Sequence, residues 1–264
     1  MRRDRIQLLV IVLLACCMAA CGTTTRRGDG NSGSSSDKAT ARASAAGTNV
    51  QLGQGYMEQG RLELAMDKLT RAIEIDPRST SAHTVIAVLY ERISDPVNAR
   101  IHYKRASELS PRAGDVLNNY GTFVCKQGEY PAADQLFVRA LADPFYKTPA
   151  VAHANRGACA ASSGDLAVAE ESLRRAVQLS PNNPDALFSM ARVSYLKGDF
   201  MNARAFVQRY EATGRAAVDG LLLGYEIEQK LGNVRGANEY RQRLLVQFPD
   251  SEAARRLSDR QSPQ

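Results

Sequence analysis

The chain has 264 residues, 44% hydrophobic and 23% charged, with a formal charge of +6 and no Trp. Those proportions are those of a soluble globular chain of one large or two ordinary domains. The basic excess is spread along the sequence with no run of five like charges, which argues against the clustered footprint of a nucleic-acid binder.

Arg2, Arg3 and Arg5 precede an unbroken apolar run, Leu8 to Ala15. Residues 1–20 therefore read as an export signal, with an apolar core too short for a membrane-spanning helix. Ala19-Ala20-Cys21-Gly22 resembles a bacterial lipobox, in which the cysteine is acylated and the preceding bond is cut. Cys21 is thus the expected lipidation site. Met18 stands where Leu is usual, and Leu13-Leu14-Ala15-Cys16 makes Cys16 the competitor. An ordinary signal peptide, its cysteines adding only hydrophobicity, is the plainer alternative. No Asp follows Cys21, so the expected address is the periplasmic face of the outer membrane, with the chain held there by lipid.

Residues 21–45 contain no large hydrophobe and are expected to form a flexible Ser/Gly/Thr-rich tether. As a coil it would span about 25–30 Å. The Arg27-Gly28-Asp29 tripeptide inside it matches an adhesion motif, but such a tripeptide arises easily by chance in a Gly/Asp-rich linker.

From Ala46 the sequence repeats with a 34-residue period. Positions 8, 11, 20, 24, 27 and 32 hold Gly53, Tyr56, Ala65, Leu69, Ala72 and Pro77 in the first unit. They hold Ala87, Tyr90, Ala99, Tyr103, Ala106 and Pro111 in the second. Units follow at 46–79, 80–113, 114–147, 150–183, 184–217 and 218–249, with Thr148 and Pro149 inserted after the third. Glycine recurs at position 15 as Gly60, Gly128, Gly164, Gly198 and Gly232. Small residues where helices cross, a turn glycine and a terminal proline resemble the tetratricopeptide repeat. The expected fold is all-α: an α-solenoid of about six antiparallel helix pairs after a disordered tether, closed by a capping segment over 250–264 with Ser251 as its N-cap.

Catalytic chemistry has no foothold in this pattern. His83, His102 and His153 lack partners at metal-ligand spacing, and no nucleophile elbow or phosphate loop is present. Gly53-Gln54-Gly55 falls inside a helix with no preceding strand, so Gly53 reads as structural. The expectation is a non-enzymatic protein without cofactor, metal or small-molecule substrate. Cys125 and Cys159 fall on the first helices of units three and four, which are neighbours in a solenoid. Two readings stand for them: a disulfide, favoured by an oxidising compartment, or two small buried hydrophobes.

First helices line the concave face of such arrays. Candidate groove residues are Val50, Gln54, Met57, Thr84, Val88, Glu91, Asn118 and Thr122, with Phe188 and Tyr195 further along. The positions that grip a C-terminal carboxylate in other repeat domains hold Thr84, Val88, Asn119, Val151 and Asn155, none of them cationic. The apolar members predict a groove for an amphipathic or extended apolar segment instead.

Three stretches narrow the resemblance: LNNYGTFVCKQGEY (117–130), ALADPFYKTPA (140–150) and LLLGYEIEQKLGN (221–233). With the lipobox and six units, they resemble the type IV pilus biogenesis and stability lipoproteins, pilotins of the pilus secretin. The resemblance implies an outer-membrane lipoprotein that binds the secretin subunit and promotes its localisation or multimerisation, and a cysteine pair in units three and four. An assembly factor for another envelope complex, such as β-barrel insertion, is the alternative.

Overall fold

The computed structural model describes residues 35–215 and 217–259; the predicted signal, Cys16, Cys21 and the Arg27-Gly28-Asp29 tripeptide lie outside them. The chain divides into an N-terminal unit, described here for residues 35–41, and a repeat unit from Arg42 onward. The fold is the expected all-α solenoid. Unit one pairs α1 (Ser35–Glu58) with α2 (Leu62–Ile75), and unit two α3 (Thr80–Arg92) with α4 (Pro96–Leu109). Units three and four are α5 (Gly114–Lys126) with α6 (Tyr130–Leu141), and α7 (Pro149–Ser163) with α8 (Leu166–Leu179). Units five and six are α9 (Pro184–Leu196) with α10 (Phe200–Ala212), and α11 (Val218–Lys230) with α12 (Val234–Gln247). The short α13 (Glu252–Asp259) follows.

The turn between paired helices needs one left-handed residue. Gly60, Gly128, Gly164, Gly198 and Gly232 supply it with φ between 70 and 88°. Unit two has Ser94 at that place, the only described non-glycine residue with positive φ, at 61°. A side chain there carries a steric cost that glycine avoids. The next residue caps the second helix: Asp95, Asp165, Asp199 and Asn233 each accept a hydrogen bond from the backbone N–H three residues on.

The small positions act by close approach. A Cβ at Gly53 would lie 2.7 Å from Leu69 Cγ, and one at Gly157 would lie 2.5 Å from Leu173 Cγ and 3.0 Å from the Ala169 carbonyl oxygen. Both glycines sit mid-helix and let the paired helix come against the backbone, so Gly53 is a packing residue. The large residues at position 24, among them Leu69, Tyr103, Phe137 and Leu173, are buried between the helices. Core clusters follow one another from unit to unit, Val50 to Leu89, Ala87 to Cys159, Ala160 to Val193, Ala191 to Ile227, and Leu221 to Leu257, with Tyr90, Phe206 and Tyr240 each packed against two of them. The hydrophobic interior is therefore a continuous ribbon along the array rather than one central core. Its end is covered by Ala253, Ala254 and Leu257 of α13, packed with Leu221 and Leu244. Ser251 Oγ accepts from the Ala254 N–H at 3.1 Å at the start of that helix.

The structure corrects the tether. Residues 35–45 were expected to be coil, yet α1 already runs through them. Residues 36–45 are exposed throughout and the first buried residue is Ala46, so the absence of anything to bury was real. Helix formation there comes from local preference: alternating alanines, Lys38 and Arg42, no glycine or proline before Gly47, and Asp37 in the first turn.

Candidate functional site

The first helices form one wall. α5 packs on α7, α7 on α9, and α9 on α11, while each second helix packs on the first helix of the following unit. The inner face is thus made of first-helix side chains, and the ten groove candidates sort by exposure. Val50 and Met57 are 5% and 8% exposed and belong to the core around Leu69 and Leu89. They are packing residues, because the long first helix turns them toward α2 and α3. Asn118 is also buried, its Oδ1 accepting from Asn155 Nδ2 at 3.0 Å, a link between α5 and α7. Phe188 and Tyr195 are partly buried, against Tyr210 and Phe200 respectively.

Gln54 is exposed on α1. Thr84 and Thr122 are half-buried and donate their hydroxyls to carbonyls of their own helices, at Thr80 and Asn118. Val88 and Glu91 alone among the candidates line a common cavity, of about 560 Å³, between the C-terminal ends of α3 and α5. Phe123, Pro96, Arg92, Ser94, Lys126 and Gln127 complete it. Lys126, four residues after Thr122 on the same helix, continues the groove-facing spacing by one turn.

The chemistry of the cavity is mixed and pre-arranged. Val88 and Pro96 offer exposed apolar surface beside the buried Phe123. Glu91 is fixed from two sides, accepting from Tyr103 Oη at 2.5 Å and from Lys126 Nζ at 2.9 Å. Burial, reinforced by the Glu91 carboxylate, pushes the Tyr103 phenol well above its ordinary range, so it remains a donor to Glu91. The Arg100 guanidinium lies over the Phe123 ring, 5.3 Å from its centroid, and pairs with Glu129. An extended or amphipathic segment could place an apolar side chain on the floor and bond its polar groups to the Glu91–Lys126 pair.

Cys125 and Cys159 are bonded to each other, with Cα atoms 5.9 Å apart, joining α5 to α7. Of the two readings of these cysteines, the disulfide is the one the structure contains. A second polar link sits between α3 and α4. His83 Nδ1 and His102 Nδ1 are 2.9 Å apart, His83 Nε2 lies 3.2 Å from the Pro77 carbonyl oxygen, and Tyr90 stacks on His102. Burial lowers the pKa of both, with Arg105 adding to the effect at His83 and His83 itself adding at His102; His153 is lowered by burial and by Arg175 and Arg156. Above the ordinary histidine pKa both folded and unfolded chains hold these rings neutral. Below it the unfolded chain takes up protons that the folded one resists, so stability falls as pH drops. Thermal melts should therefore show a lower Tm at about pH 5.5 than at about pH 7.5, above the range where carboxylates titrate. Replacing all three histidines by Gln should flatten that slope; an unchanged slope would place its origin elsewhere. No group of three or more His, Cys, Asp or Glu among the described residues could hold a metal ion.

Two tetratricopeptide-repeat family models match the chain, one over residues 50–121 and 125–184 and the other over 160–222. The type IV pilus assembly protein PilF of Pseudomonas aeruginosa is 30% identical over 202 residues, covering 76% of this chain and 80% of the relative. Among solved structures, PilW, a widely conserved type IV pilus biogenesis factor, superposes with a TM-score of 0.76 at 31% identity, over 80% of this chain and 97% of PilW. The structure of Pseudomonas aeruginosa pilF gives 0.73 at 28% identity, over 84% of this chain and all of that one. The chain belongs to the tetratricopeptide-repeat family and is related to these pilus biogenesis factors.

Proposed function

We propose that this tetratricopeptide-repeat protein is a pilotin: a lipid-anchored, non-enzymatic scaffold at the periplasmic face of the outer membrane that binds the type IV pilus secretin. The observation that carries the reading is the likeness to PilF and PilW over at least three quarters of the chain, far more than a generic pair of repeats would cover. The lipid on Cys21 fixes one end, and the concave face with the Val88–Glu91–Phe123–Lys126 cavity takes a segment of the secretin subunit. Catalysis has no role; the scaffold acts by raising the local concentration of secretin subunits beside the membrane.

A strain lacking the gene tests the reading. Surface pili should be lost, and restored by the parent gene but not by Cys21→Ser, which should accumulate as unacylated precursor. Undiminished acylation of Cys21→Ser would move the anchor to Cys16. A strain that keeps its pili while its bulk β-barrel proteins fail would favour assembly of another envelope complex.

A further inference from the structure

The loop between units three and four is built to hold one aromatic ring in solvent. Seven Phe and ten Tyr occur in the chain, and Phe145 is the only one of them that is exposed, at 88%. Its neighbours are fixed. The Asp143 carboxylate accepts from the Gly114 N–H and from the Phe145 N–H, each at 2.9 Å. Tyr146 is half-buried against Gly114, where a Cβ would lie 2.5 Å from its Cγ, so the glycine is the notch that receives the ring. The Tyr146 N–H donates to the Asp143 carbonyl, closing a turn, and Pro144 and Pro149 restrict the backbone on either side. The loop thus tucks Tyr146 in and turns Phe145 out. Leaving a benzyl group in water is unfavourable, and nothing within the fold recovers that cost.

The charges around Phe145 are mixed: Lys147, Arg112 and Arg139 stand against the exposed Asp115, whose charge reaches Tyr146, and the Asp143 carboxylate, which is held by two backbone N–H groups. Lys147 follows two residues later and is exposed. Arg112 is exposed on the adjoining turn, which Asp143 ties to this loop through Gly114. Neither cation forms an ion pair among the described residues. Arg139 spends one N–H on the Pro111 carbonyl, holding the same two turns together. A protein-docking patch ordinarily surrounds its aromatic anchor with further apolar contact area. An aromatic ring projecting from a turn that also carries two exposed cations without ion-pair partners instead suits a water–lipid boundary, with the ring among the acyl chains and the cations at anionic headgroups.

We infer that Phe145, with Lys147 and Arg112, is a second membrane contact, through which this edge of the solenoid lies on an anionic lipid surface. One ring and two cations bind a bilayer weakly and reversibly on their own. Two signals are needed for firm attachment, and on the reading proposed above the N-terminal lipid supplies the other.

The absence of Trp provides a direct reporter. Phe145→Trp in the full chain creates the only indole, and because Phe145 packs on nothing the fold and Tm should be unchanged. On vesicles of phosphatidylcholine with phosphatidylglycerol, its emission should shift to the blue and be quenched by brominated acyl chains. The shift should be much smaller on pure phosphatidylcholine, in high salt, or with Lys147→Glu and Arg112→Glu added. Vesicle flotation read alongside separates the two ideas. A chain that floats by its N-terminus with an indole still in water overturns this inference and leaves the lipid-anchor reading intact. An indole that stays unshifted on anionic vesicles but shifts with purified secretin subunit would make Phe145 a protein anchor and would equally overturn the inference.

Discussion

Removing the disulfide by Cys125→Ala with Cys159→Ala is expected to lower stability by about 3–4 kcal/mol, the loop-closure value for two cysteines 34 positions apart in sequence. Cys159 is buried and Cys125 partly so, within the core that also holds Leu117, Phe123 and Phe137; alanine therefore leaves small voids but no stranded hydroxyl. In a solenoid each unit is stabilised by its neighbours, so a cross-link between units three and four couples the two halves of the array. Calorimetry should show the main transition displaced downward by roughly 10 °C and broadened as the halves uncouple. Reduction of the parent protein should reproduce the shift. A double variant that melts with the parent would mean that packing alone joins these units.

The second large effect is expected at Arg204. Glu228 on α11 is 5% exposed, and its carboxylate accepts two hydrogen bonds from the Arg204 guanidinium on α10 and one from Asn233 Nδ2 at 2.6 Å. Asn233 in turn caps α12 through its Oδ1. The three side chains tie the fifth unit to both helices of the sixth. Arg204→Ala strands a buried carboxylate with only an amide to satisfy it, and should cost about 3–5 kcal/mol. Adding Glu228→Gln should recover much of that loss, since the charge is what the site cannot tolerate unpaired. If the two variants were equally unstable, burial of the charge would not be the cause.

The contrast between what the repeat pattern fixes and what it leaves open is physical. Positions 8, 20, 24 and 27 are set by the distance between paired helices, so Gly157, Ala169, Leu173 and Ala176 were legible from spacing alone. The turn was legible through glycine, apart from Ser94, where a serine occupies the left-handed position. The groove was less so. A period identifies a first helix but not how far each side chain turns toward the neighbouring unit, and Val50, Met57 and Asn118 were accordingly misplaced on the open face. Phe123 and Lys126, which line the cavity with Val88 and Glu91, fall at the end of the helix, where packing against the next unit and not the repeat period decides what is exposed. The segment 35–45 shows a separate limit: lack of hydrophobes excludes a core but not a helix, since alanine-rich backbone can satisfy its own hydrogen bonds. Phe145 lay in plain view within ALADPFYKTPA, yet its exposure follows from Tyr146 taking the notch at Gly114, a contact between residues 32 apart in sequence.

On the pilotin reading proposed above, this chain serves assembly of the pilus secretin. That role is tested most directly by the state of the secretin in the outer membrane of a strain lacking the gene, resolved as heat-stable multimers after fractionation. Multimers should disappear or move to the inner membrane while bulk β-barrel proteins are unaffected, and the parent gene should restore them. Normal multimers at the outer membrane in that strain would contradict that role.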